Sequence, residues 1–84
     1  MIDLELSGGV QAELSAMDGE RVTLKSPQAS APGSRLEGTA LDGRRLHIKV
    51  HRCVRTGDAF EIRGRLFDLK RDLRELLLER LSPS

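Results

Sequence analysis

The side chains best suited to chemistry in this sequence are two histidines and its single cysteine, at His47, His51 and Cys53. Imidazole and thiolate groups bind metal ions or act as base and nucleophile. On an extended strand, positions four residues apart are separated by about 13 Å, too far for His47 and His51 to share one ion. His51 and Cys53 alone supply two ligands, and neither a nucleophile elbow nor paired carboxylates accompany them. We therefore expect a solvated strand face or a partly buried thiol, and neither a metal site nor an enzyme.

Basic side chains offer a second kind of chemistry, the recognition of anionic partners. The stretch from Arg44 to Arg55 holds five basic residues, both histidines and no acid, whereas residues 1–20 hold five acids and no base. This separation predicts a molecule whose acidic and basic residues lie on different parts of its surface, although its net charge is only +1. Four of the basic residues are predicted to form an outward row for protein docking: Arg45, Lys49, Arg52 and Arg55.

Two other interpretations of this row stay open. It can be a solvated face that prevents a sheet edge from pairing with another chain. It can also meet the phosphates of a nucleic acid, but the chain has no Trp, no Tyr and only two Phe, so stacking platforms for bases are nearly absent. Nucleic acid is therefore the less favoured partner.

Short runs of alternating apolar and polar residues, separated by Gly, Pro or Asp-Gly, extend from Val10 to Phe67. This pattern predicts an antiparallel β-barrel at residues 10–67. Residues 1–9 are interpreted as a flexible N-terminal lead, and Asp42-Gly43 is the strongest hairpin signal. The predicted strands cover residues 10–14, 20–25, 35–41, 44–54 and 59–66.

The hydrophobic period changes at Asp68, whose carboxylate is suited to cap the N-terminus of a helix. Leucines then recur at helical spacing as far as Leu81, so a C-terminal helix is predicted at residues 68–81, followed by a tail at 82–84. A helix of about 13 residues is unstable alone, so its leucine stripe must cover an open end of the barrel. Leu78 lies off the stripe and is expected to be exposed, either as an ordinary surface leucine or as a contact with a partner or a second copy.

The length of the chain bounds its organisation. Eighty-four residues form one domain, because a second core would have too little apolar surface to bury. The longest apolar run has three residues, and Asp3 and Glu5 stand where a secretory signal has Lys or Arg, so neither a membrane span nor such a signal is expected. The lone Cys53 cannot form an internal disulfide and fits a reducing cytoplasm.

The order of these features resembles a PilZ domain. Residues 13–19 read Glu-Leu-Ser-Ala-Met-Asp-Gly and lie where that family has its (D/N)xSxxG turn. Residues 32–36 are similar to the family's approach to the next strand, and residues 60–69 with the leucines that follow are similar to its last strand and helix. The resemblance covers about residues 10–81. It implies a mostly β fold, a small antiparallel barrel of five to six strands closed by a C-terminal α-helix.

The departures from the family concern its ligand, cyclic di-GMP. Members that bind it have an RxxxR segment ahead of the barrel, whereas this sequence has no Arg or Lys before Arg21. A doubly negative nucleotide needs such guanidinium groups, whose charge-assisted hydrogen bonds contribute ~1.5–3 kcal/mol each. The turn motif is also altered: Ser15 matches, Glu13 replaces Asp or Asn, Asp18 holds the glycine position and Gly19 comes one residue late. Weak or absent nucleotide binding is therefore expected at the positions that the resemblance implies: Glu13, Ser15, Asp18, Gly19 and Arg21.

The sequence thus predicts a non-enzymatic module without a cofactor that acts by protein–protein contact in the cytoplasm. The resemblance implies that it is a regulatory or adaptor module of bacterial cyclic di-GMP signalling. Its docking surfaces are expected to be the outward row of Arg45, Lys49, Arg52 and Arg55 and the Leu78 side of the helix. A homodimer through that helix is an alternative. Two other functions remain open. One is a cyclic di-GMP receptor that uses a non-standard site with Ser15 and Arg21, and the other is a small nucleic-acid-binding barrel.

Overall fold

The structure, a computed structural model, describes residues 2–40 and 43–81. Within these ranges the chain forms six antiparallel strands and one helix. None of the helical segments described is long and apolar enough to cross a membrane. The elements are β1 (Ile2–Leu6), β2 (Val10–Asp18), β3 (Arg21–Ser26), β4 (Arg35–Thr39), β5 (Arg45–Thr56), β6 (Ala59–Phe67) and α1 (Arg71–Leu81).

The six strands close into a barrel in the order β1-β2-β3-β6-β5-β4. Alternate side chains of each strand point inward, and leucine, isoleucine and valine fill the interior. On β5, for example, Leu46, Ile48 and Val50 are buried while the residues between them are exposed or half-buried. The predicted fold class, a small β-barrel closed by a C-terminal helix, is confirmed.

The N-terminal residues are not the flexible lead that the sequence predicts. Residues Ile2 to Leu6 form β1, which pairs with β2 along its whole length and with β4 through Glu5 and Leu6. Ile2, Leu4 and Leu6 are buried, because this strand supplies the last wall of the barrel core. Without β1 the sheet would have two open edges in place of a closed ring.

Two β-bulges, one in β2 and one in β5, interrupt the alternation of side chains, and both strands extend beyond their predicted ends. The register of β2 against β3 shifts at Ser15, which lets β2 continue to Asp18 rather than end at residue 14. The register of β5 against β6 shifts at His51, and β5 then continues to Thr56. The predicted turn at Asp42-Gly43 lies partly outside the described residues.

Helix α1 covers one end of the barrel with Leu73 and Leu77, which join the core cluster. The prediction that Asp68 caps the helix is wrong. The chain turns at Asp68, whose φ is 54°, before the helix begins. The first intrahelical hydrogen bond runs from the Arg74 N–H to the Lys70 carbonyl oxygen. Leu78 is half-buried rather than exposed.

Candidate functional site

Four cationic side chains lie in register on four neighbouring strands and form a line across the outside of the barrel. Arg35 on β4 lies opposite Lys49 on β5. Lys49 lies opposite Arg65 on β6, and Arg65 lies opposite Arg21 on β3. All four residues are exposed. We call this line the basic row. It is built by sheet register, so its members come from four separate parts of the sequence.

A second, shorter pair of cations borders the basic row. Arg52 on β5 lies opposite Arg63 on β6, and both are exposed. The bulge at His51 brings Arg52 to the outer surface, because the extra residue resets the alternation of β5. The basic row together with Arg52 and Arg63 is called the basic face.

Carboxylates lie along the margins of this face and neutralise only part of it. Arg65 donates from Nε and Nη2 to the same oxygen of Glu20, at 3.0 and 2.8 Å. Nη2 of Arg63 is 3.8 Å from a carboxylate oxygen of Glu61. Among the residues that the structure describes, the remaining members of the basic row form no ion pair: Arg21, Arg35 and Lys49.

An aromatic side chain lies next to one end of the basic row. The guanidinium carbon of Arg35 is 5.7 Å from the centre of the Phe67 ring, within the range of a cation–π contact. The His47 ring packs against the same phenyl group, with centroids 5.5 Å apart, and its Nδ1 is 3.6 Å from a Glu37 oxygen. Phe67 is therefore already in contact with two side chains and is only half-buried.

Two adjoining surface grooves follow the basic face. One, of about 510 Å³, lies over β2, β3, β6 and the middle of β5, and the other, of about 540 Å³, lies over β4, β5 and β6. Arg65 and His51 line both grooves, so the centre of the basic face is the ridge between them. Both grooves are open to solvent, whereas a small-molecule site encloses most of its ligand. They therefore suit the side chains of a protein partner better than a small molecule.

The four residues predicted to form one docking row on β5 do not stay together. Lys49 and Arg52 belong to the basic face, but Arg45 lies at the start of β5, near the first turn of α1. Arg55 lies at the other end, where its Nε donates to the Gly57 carbonyl oxygen at 3.3 Å and braces the β5–β6 turn. Arg45 and Arg55 are ten positions apart and lie at opposite ends of β5. The other members of the basic face were not predicted from the sequence: Arg21, Arg35, Arg63 and Arg65.

Strict alternation along one strand would place His47, His51 and Cys53 on a single face, but they do not share one. Beyond the bulge, Cys53 lies opposite the buried Ile62 and packs against the core, while His51 is exposed on the outside. The bulge is the physical reason, because it reverses the alternation between these two positions. Within residues 2–40 and 43–81, no three His, Cys, Asp or Glu side chains are grouped as metal ligands.

The five positions implied by the PilZ resemblance are divided between two parts of the barrel. Asp18, Gly19 and Arg21 lie together at the β2–β3 turn, where Asp18 is in register with Arg21. Glu13 lies farther along, between Asp3 and Lys25. The Ser15 hydroxyl lies at the bulge and donates to the Thr23 carbonyl oxygen at 3.1 Å.

One carboxylate in the first turn of α1, that of Asp72, has a shifted pKa. The backbone N–H of Leu73 donates to Asp72 and lowers the pKa of its carboxyl below the ordinary value of 3.8. The Arg44 guanidinium, whose Nη1 is 3.2 Å from Asp72 Oδ2, lowers it further. Asp72, in the first helical turn, thus has the favourable charge that the sequence assigned to Asp68.

No protein-family model, no curated protein and no solved structure matches this chain.

Proposed function

We propose that this chain is a non-enzymatic binding module whose basic face docks a protein partner with an acidic surface. The observation that supports this most is the basic row. Like charges directly opposite one another destabilise a sheet, by up to about 1 kcal/mol per pair. Three such pairs follow one another along this row. Carboxylates of a partner would offset the repulsion between these cations. Binding therefore explains an arrangement that the stability of the free sheet disfavours.

We further propose that the module is a PilZ-like adaptor that acts in a bacterial cytoplasm without cyclic di-GMP. The order of sequence features supports the family, and two observations support a nucleotide-free mode. The Ser15 hydroxyl proton is engaged by the Thr23 carbonyl, and Glu13 lies apart from Arg21 along the strand. Residues 1–20 contain no arginine that could bind the guanines or phosphates.

Affinity capture from a bacterial lysate tests the docking surface. The wild type is compared with Lys49→Glu and with Lys25→Glu, a matched charge reversal outside the basic face. We expect a protein that the wild type and Lys25→Glu retain and Lys49→Glu loses. That protein is then purified and titrated, and its affinity should fall as salt is raised. The same set of proteins on all three baits would contradict the proposal.

Calorimetry with cyclic di-GMP tests the nucleotide-free mode. We expect no saturable heat at micromolar protein. A dissociation constant tighter than ~10 μM, about −7 kcal/mol, would show that the chain is a nucleotide receptor. Loss of that binding in Arg21→Ala but not in Lys25→Ala would place the nucleotide beside Ser15 and Arg21.

A further inference from the structure

Strand β5 is longer than the strand beside it, and its second half has an open edge. β5 has 12 residues and β4 has five. On the β4 side, the last backbone hydrogen bonds join Val50 to Gly33 and Ser34, at 2.7 and 2.9 Å, in the part of the chain that the structure describes. From Arg52 to Thr56 the strand pairs with β6 alone among the described residues. The side of this segment that faces away from β6 can therefore accept a further strand.

Strand register determines which backbone groups point to this open edge. The Leu66 N–H donates to the Glu20 carbonyl oxygen at 2.8 Å, on the β3 side, so odd-numbered residues of β6 direct their backbone groups to β5. Those odd-numbered residues lie opposite Arg52, Val54 and Thr56. Cys53 and Arg55 therefore direct their N–H and C=O groups away from β6. These groups have no hydrogen-bond partner among the residues described, which is the arrangement that an extended chain recognises.

The side chains along the open edge are cationic at two positions, with an apolar residue between them. Arg52 and Val54 lie on the outer face, and Val54, 37% exposed, is the one large apolar side chain exposed among the described residues. Arg55 lies on the opposite face, where its Nε donates to the Gly57 carbonyl oxygen at 3.3 Å and so uses one of several guanidinium donors. A strand placed against this edge would contact two guanidinium groups and one exposed valine.

We propose that an acidic, extended segment of a protein partner adds to β5 as an antiparallel strand beside Arg52–Thr56. This inference rests on the proposed function, because it specifies how the backbone of a partner docked on the basic face, to which Arg52 belongs, would be held. Antiparallel pairing is the more stable kind per residue, and it sets consecutive partner residues opposite positions 55, 54, 53 and 52. The matching side chains are, in that order, acidic, apolar, unrestricted and acidic.

Charge selects an acidic segment over a second copy of this chain. In a two-fold pair of β5 edges, the register that uses both Cys53 and Arg55 pairs one with the other. That register sets Arg52 opposite Thr56, so no carboxylate lies directly opposite either arginine. Arg63, in register with Arg52 on β6, adds a third guanidinium from each copy. A second copy would bring these like charges together, whereas an acidic segment would neutralise them.

The experiment separates backbone pairing from charge attraction with two fluorescent peptides of one sequence, both containing the segment Glu-Val-Thr-Glu. The N–H groups of its first and third residues would face the β5 edge, and those of its second and fourth would face away. One peptide is N-methylated at the first and third residues and its isomer at the second and fourth, so charge and composition are identical. In anisotropy titrations with wild type, we expect the isomer to bind at least about tenfold more tightly.

Two substitutions of Arg55 give a matched comparison on the protein. Arg55→Pro removes the outward N–H and places a ring on the edge, while the N–H groups that bond to β6 belong to neighbouring residues and remain. Arg55→Ala removes the same charge and keeps the N–H. We expect Arg55→Ala to preserve the difference between the two peptides and Arg55→Pro to abolish it. Circular dichroism checks both folds, and if Arg55→Pro is unfolded the comparison of the peptides on wild type decides.

Each other outcome overturns a stated part of the inference. Equal affinity of the two peptides for wild type, or no binding of either, overturns strand addition. The docking proposal then depends on its own capture test, because Lys49 lies outside the open edge and Arg55 outside the basic face. A dimer of the free protein that Arg55→Pro dissociates in sedimentation overturns the choice of occupant, since the edge would hold a second copy. A preference that persists in folded Arg55→Pro overturns the assignment to this edge.

Discussion

One residue, His51, determines which side chains of β5 face outward beyond the middle of the strand. Without the bulge there, strict alternation from Lys49 would turn Arg52 toward the core and Cys53 toward solvent. The bulge places Arg52 beside Arg63 and Cys53 against Ile62. The composition of the basic face is therefore a consequence of one extra residue in one strand.

The bulge is accompanied by a glycine on the neighbouring strand. A Cβ at Gly64 would lie 2.5 Å from the Lys49 carbonyl oxygen and 2.8 Å from Ile48 Cγ2, so backbone must move to admit it. We expect Gly64→Ala to lose about 1–3 kcal/mol in urea unfolding. The control is Gly38→Ala, whose nearest contact is a flexible Leu6 methyl at 3.3 Å, with an expected cost below about 1 kcal/mol. Equal losses in the two variants would show that close approach is not the reason.

Asp72 provides a test of electrostatics at the start of α1. Because hydrogen bonding from Leu73 and the charge of Arg44 lower its pKa below 3.8, its ionised form favours the folded state. This stabilisation is fully present above about pH 4 and is lost as the pH falls through the lowered pKa. Asp72→Asn should thus unfold at a lower temperature than wild type near neutral pH, and the two curves should converge in acid. A difference in Tm that does not change with pH would contradict this assignment.

At the scale of elements, alternation and helical spacing predict five strands and the helix. The missed strand, β1, shows the limit of that reasoning. Ile2, Leu4 and Leu6 alternate like any other strand, but a five-residue segment before two glycines has no local signal that requires pairing. Its place is set by closure of the barrel, through contacts such as Glu5 with Thr39 that lie far apart in the chain.

The same limit explains why the basic row could not be read from the sequence. Sequence reasoning follows one strand at a time, and it identified Lys49 and Arg52 on β5 as outward and basic. The row runs at right angles to the strands, so its other members depend on register. That register depends in turn on the bulge at His51 and on the turns between strands, and neither His51 nor Ser15 has a sequence signature as a bulge residue.

Removing core contacts from β1 tests whether it is a structural wall or a flexible lead. Leu4 is fully buried, so Leu4→Ala should cost about 2–5 kcal/mol of unfolding free energy in urea. The neighbouring Glu5 is exposed, and Glu5→Ala should stay within about 0.5 kcal/mol of wild type. If Leu4→Ala is as stable as Glu5→Ala, β1 does not contribute to the core in solution.

At the scale of the whole molecule, the barrel separates its charges. The outward carboxylates Asp3, Glu5 and Glu13 lie on β1 and β2, and the strand order places these two strands opposite β6 and β5. The basic face is centred on β6 and β5. A small net charge therefore coexists with a separation of charge across the barrel, which would orient an approaching partner before contact and speed productive encounters at low salt.

The last prediction concerns the stability of the free protein. Lys49 lies between Arg35 and Arg65 on the neighbouring strands, whereas Lys25 lies between Glu13 and Glu61. The same substitution at these two exposed sites should thus have opposite effects. Lys49→Glu should raise the unfolding free energy by about 0.2–1 kcal/mol and Lys25→Glu should lower it by a similar amount.

Urea unfolding at low and high salt checks both the sign and its origin, because screening shortens the range of these interactions to about 3 Å at 1 M ionic strength. Both effects should shrink at high salt. A gain in stability in Lys49→Glu, combined with loss of partner binding, would mean that the row is kept at a cost to the fold and is maintained for recognition. A loss of stability in Lys49→Glu would mean instead that these cations support the sheet, and the principal reason for assigning a partner to them would disappear.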